Sequence, residues 1–144
     1  MLSLFEKSSK RGKSFMTEIN ELKSWIAYAE QDYSASKTLL SLKKPLLVPV
    51  CFHAQQCAEK YLKALLILKD VDFPKTHDLP TLNTLCNQNG ILTGFDPQQL
   101  ADLTKYAVQA RYPGSEPTRE ETKEAMDIAK TVRRFARSLL GLKK

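Results

Sequence analysis

Glycine is scarce in this chain, five of 144 residues, which disfavours the turn-rich all-β folds and suits a compact, helix-rich protein. Cysteine is rarer still: Cys51, Cys57 and Cys86 are odd in number and show no Cys-x-x-Cys spacing. They sit in or beside helical apolar patterns, so they read as buried free thiols of a reducing cytosol rather than disulfides. Cys57 and His53 lie four apart, but no third or fourth metal ligand accompanies them. Neither of the two histidines, His53 and His77, has a serine or cysteine at the spacing of a nucleophile with its base. No apolar run is long enough to span a bilayer, and Lys63 interrupts the best candidate. These readings assign no metal, no cofactor, no catalytic residue and no membrane contact, and they place the protein in the cytoplasm.

What is plentiful is charge. The formal net charge of +6 suggests a polyanionic partner until it is located. Residues 1–15 hold Lys7, Lys10, Arg11 and Lys13 against Glu6, so half of the excess lies there. This stretch lacks the apolar centre of a secretory signal and is followed by Met16, which suggests an alternative start or a flexible basic arm. Its "GKS" at 12–14 is not a phosphate loop, because Lys7 stands where the earlier glycine is needed. The expected organisation is a leader over residues 1–16 and one domain over 17–144.

Hydrophobic periodicity predicts five helices and no strand. The first spans about Thr17 to Leu42, with Leu22, Trp25, Ala29, Tyr33, Ser36 and Leu40 on one face. Pro45 and Pro49 suit a turn and the start of a second helix, which ends near Lys69 and carries Ala54, Ala58, Tyr61, Leu65 and Leu68 as its apolar stripe. Thr76 or Asp78 can cap a short third helix ending near Gly90, and Asp96-Pro97 starts a fourth that reaches about Ala110. Thr118 with Glu121 forms a capping box for the fifth, whose stripe is Ala125, Ala129, Val132, Ala136 and Leu139. The fold class is all-α, a four- to five-helix up-and-down antiparallel bundle.

Three polar groups stand out. In the second helix Glu59 and Lys63, and Gln56 and Lys60, repeat at i,i+4, either as a solvated face or as donors and acceptors lining a cleft. On the fifth, Lys123, Lys130, Arg134 and Arg137 share one side with Arg133 adjacent; they suit a helix C-terminus, and stacked beside Arg111 or Lys63 they would neutralise phosphates. In "ARYPGSEPT", Arg111 either caps the fourth helix or clamps a phosphate, and Tyr112 either packs on the bundle or offers a stacking face. His77 lies at a helix start, where Asp78 is placed to orient its imidazole.

Taken in order, "AEQDY", "HAQQCAEKYLKALL", "FPKTHDLPTL" and "ARYPGSEPT" before a long terminal helix resemble the HEPN family, named for nucleotide binding in higher eukaryotes and prokaryotes. The resemblance covers roughly residues 20 to 140, with Gln56, Glu59, Lys60 and Lys63 matching its Gln-x-x-Glu-Lys-x-x-Lys core. It implies a helical bundle acting as a homodimer, a nucleotide or RNA ligand, and a small nucleotidyltransferase partner in a toxin-antitoxin-like system. Some members resemble RNases built on an arginine followed, after four to six residues, by histidine. Here those positions are Glu116, Pro117 and Thr118, so that chemistry is disfavoured. The implied nucleotide- or phosphate-binding set is Arg111, Tyr112, Gln56, Glu59, Lys60, Lys63 and Arg134. A divergent ribonuclease using Arg111 with His77 or His53, and a pure protein-interaction module, are the alternatives.

Overall fold

The structure, a computed structural model, describes residues 11–144. Among them lie five helices and no strand: α1 (Phe15–Leu40), α2 (Leu47–Leu68), α3 (Leu79–Gln88), α4 (Pro97–Gln109) and α5 (Arg119–Leu139). Four have side-chain caps. Ser14, Asp78 and Asp96 accept from the backbone N–H groups of Thr17, Thr81 and Gln98, and Thr118 and Glu121 complete the expected capping box. Between α3 and α4, Gly90 has φ +85°, a left-handed conformation that glycine adopts without strain.

The expected boundary between residues 16 and 17 falls inside α1, whose first turn starts at Phe15. The preceding segment is tied to the bundle by Arg11, which bonds Glu18 and Glu21 of α1 (3.2 Å each) and Asp72 of the α2–α3 connector (3.3 Å). Its guanidinium lies 5.5 Å from the Phe73 ring centroid. The rest of the expected leader, residues 1–10, lies outside the described residues.

Helix α2 is the axis of the fold, packing against all four other helices. From Cys57 to Ile67 only Lys60 keeps appreciable exposure, so the expected apolar stripe widens to nearly the whole circumference. Leu62, Leu65 and Leu66 are fully buried, each worth about 1.5–3 kcal/mol relative to exposure. Leu68 and Leu139, expected on buried faces, are exposed because they end their helices, beyond the packed neighbours. All three cysteines are buried and free.

Contacts fix the directions. Ser36 bonds the carbonyl of Val50 while Glu30 reaches Tyr61, so α1 and α2 are antiparallel. Tyr106 meets Glu124 while Phe95 packs on Phe135, so α4 and α5 are antiparallel too. The connector 69–78 doubles back along α2, from Val71 bonded to the Leu66 carbonyl to His77 beside Gln55 and Glu59. That return lays a loop over one flank of α2 and creates the site described next.

Candidate functional site

Helix α2 presents its polar residues along a seam bounded by α1 on one side and the connector on the other. Glu59, 3% exposed, is the hub. Its Oε1 accepts from Gln55 Nε2 (3.3 Å), Gln56 Nε2 (3.4 Å) and His77 Nδ1 (2.9 Å), and its Oε2 from Lys63 Nζ (3.1 Å). Gln55 also donates to the His77 carbonyl at 2.8 Å and accepts from Gln56 at 2.8 Å. Lys63 is buried as well, with Trp25 and Phe73 ring centroids 5.5 and 5.8 Å from its ammonium. A buried charge is tolerable only when paired and hydrogen-bonded, and this arrangement meets both conditions. The Glu59–Lys63 pair is therefore an interior element and not a solvated face.

His77 was expected to be oriented by Asp78. Instead Asp78 is occupied with Thr81 at the start of α3, and Glu59 holds the ring. The side chain of His77 is 76% exposed, so with Nδ1 donating to Glu59 its Nε2 is left as an acceptor at the surface. A second carboxylate–imidazole pair sits one helical turn away: Asp32 accepts from His53 Nδ1 at 2.8 Å and from Lys60 Nζ at 2.5 Å. Lys60 thus goes to Asp32 across the α1–α2 interface and not to Gln56. Tyr28 and Phe52, both exposed, flank this pair.

Arg111 and Tyr112 lie just past the α4 cap at Ala110, in a tight turn where Gly114 has φ +89°. Tyr112 is 62% exposed, so it does not pack on the bundle. The Arg111 side chain is exposed and makes no hydrogen bond or ion pair with any described residue; only its backbone N–H turns back to Val108. The carboxylate of Glu116 accepts from the Gly114 N–H and titrates below its ordinary range because backbone N–H groups of Glu116 and Gly114 favour its charged form.

The basic stripe of α5 divides. Arg133 grips Glu30 with two 2.8 Å bonds and stacks 4.1 Å from the Tyr33 ring centroid. Arg137 reaches the Tyr61 hydroxyl at 3.2 Å and Glu30 at 3.5 Å. Arg134 turns away and lines a separate recess with Thr93, Phe95 and Phe135. The structure thus brings Gln56, Glu59 and Lys63 together, sets Lys60 beside them on Asp32, and joins neither the Arg111–Tyr112 turn nor Arg134 to them by any direct contact among the described residues. Sequence reasoning left out Asp32, Gln55 and the clamping role of Glu30.

An all-helical bundle with a polar seam along its central helix and a projecting arginine–tyrosine turn defines a small helical domain with no metal cluster among the described residues. The HEPN domain family matches residues 22–139, and the chain belongs to that family. No curated protein and no solved structure matches it. Among the described residues no helix is long and apolar enough to cross a membrane.

Proposed function

We propose that the chain is a cytoplasmic HEPN bundle that binds a nucleotide or the phosphates of RNA, acts as a homodimer, and works with a small nucleotidyltransferase in a toxin-antitoxin-like pair. The observation that carries the binding reading is the Arg111–Tyr112 turn. A guanidinium without an acidic partner beside a largely exposed aromatic ring is suited to a phosphate and its base. Lys63 is committed to Glu59 and is too buried to meet a ligand, so with Gln56 and Glu59 it acts by holding His77 and the connector in place. Lys60 is paired with Asp32, so of the remaining cations Arg134 adds to the positive field at longer range. Dimerisation and the nucleotidyltransferase partner rest on the family resemblance.

Titrating ATP, GTP and a short RNA at low and moderate salt tests this reading. Saturable binding that weakens steeply with salt is expected; a folded protein that binds none of them in either condition would overturn it. One observation favours a second reading, a divergent ribonuclease: His77 has its Nδ1 on a buried carboxylate and its remaining nitrogen at the surface, the disposition of a general base. That reading predicts cleavage of structured RNA that falls at least a hundredfold in His77→Ala. Cleavage unchanged by that substitution would remove it.

A further inference from the structure

Arg134 lines a shallow recess, open to solvent, of ≈ 400 Å³. One wall is α5, where Thr131, Arg134 and Ser138 fall at i−3, i and i+4 and so share a face. The other is the α3–α4 connector, and Lys144 closes one end. The connector wall is fixed: Thr93, 7% exposed, donates its hydroxyl to Asn83 Oδ1 at 2.5 Å and its backbone N–H to Asn87 Oδ1 at 3.1 Å. Phe95 is in turn locked edge to face on Phe135, centroids 5.3 Å apart at 74°. The recess therefore has an aromatic pair shared by the connector and α5 and locked before any ligand arrives.

Its charge is unbalanced. Arg133 is paired with Glu30, and Arg137 shares that carboxylate at 3.5 Å. Arg134 has no acid at i±3 or i±4, where Lys130, Thr131, Arg137 and Ser138 stand, and it makes no ion pair among the described residues. A guanidinium without an acidic partner and the Ser138 hydroxyl beside the Phe95–Phe135 pair match a phosphate attached to a flat apolar body.

We propose that this recess is a separate binding site for a phosphate monoester carried on a planar or apolar group, with Arg134 as the phosphate anchor and Phe95 and Phe135 as the surface for the ring. It does not depend on the Arg111 reading, because no described contact links the two regions. The test is an amide NMR titration of the full chain with phenyl phosphate, inorganic phosphate and phenol. Saturable shifts from phenyl phosphate confined to Thr93–Phe95 and Thr131–Ser138 are expected, with inorganic phosphate and phenol each binding several-fold more weakly. Arg134→Gln, at an exposed position that does not support the fold, weakens phenyl phosphate about tenfold or more, and Ser138→Ala weakens it less. The inference is overturned if shifts do not saturate, if they centre on Arg111 and Tyr112, if inorganic phosphate binds as tightly as phenyl phosphate, or if Arg134→Gln binds like the parent. Shifts at Arg111 alone would leave the function proposed above standing while removing this one.

Discussion

Glu30 and Glu59 are both carboxylates gripped by cations, yet they serve different ends. Glu59 is buried and organises a loop; Glu30 is partly exposed and joins α1, α2 and α5 through Tyr61, Arg133 and Arg137. Burial pushes the Glu30 carboxyl up, but hydrogen bonds from Arg133 and Tyr61 and the nearby guanidinium charges outweigh it and leave it below its ordinary value. The same clamp raises the Arg133 guanidinium, first through its bonds to Glu30. Burial together with Glu30 raises the Tyr61 hydroxyl. Since the folded-state value for Glu30 is depressed, its stabilising contribution is full above the unfolded carboxylate range, about pH 4.3, and is lost as pH falls through the folded value. Thermal melts from pH 7 down to pH 3 should show the parent losing stability more steeply than Glu30→Gln on the acid side; parallel curves would show that the clamp carries no linked protonation. None of this was legible beforehand, because Glu30 and Arg133 lie 103 positions apart and helical periodicity says nothing about partners so distant. The thiols were legible: Cys57 and Cys86 fell on apolar faces, and burial alone pushes Cys86 to about 12, far from reactive.

At the scale of the element, start and stop signals made the helices readable. Asp96-Pro97 and Thr118 with Glu121 satisfy backbone donors through local chemistry that needs no tertiary knowledge, and both helices begin where those signals place them. The start of α1 was misread because its cap, Ser14, sits in a basic stretch that looked detached from the domain. The structure makes residues 11–14 part of the fold through Arg11 and the cap. A chain beginning at Thr17 should thus be less stable than one beginning at Arg11 by about 2 kcal/mol, combining a lost N-cap with a lost ion-pair network. Calorimetry would read this as a melting temperature lower by roughly 7 °C. Equal melting temperatures would mean that Arg11 and Ser14 contribute nothing.

For the whole molecule, one helix surrounded by the other four explains both the stability of the bundle and the placement of its polar seam. The opening sequence pattern of α2 mixed apolar and charged residues, and its polar members proved to be satisfied internally: every buried side-chain polar atom among the described residues has a partner. That Gln56, Glu59, Lys60 and Lys63 gather on one strip of α2 could be read from spacing; whether that strip faced solvent or a cleft could not, because the returning connector and Asp32 that cover it are distant in sequence. Internal pairing of Lys60 and Lys63 is why the proposed phosphate contact rests on the Arg111–Tyr112 turn and not on α2. The most direct test is to titrate a short RNA onto the parent and Arg111→Ala at two salt concentrations. The account predicts affinity reduced about tenfold, with a shallower salt dependence, in a variant whose melting temperature is unchanged; equal affinity and equal salt dependence in the two proteins would contradict it.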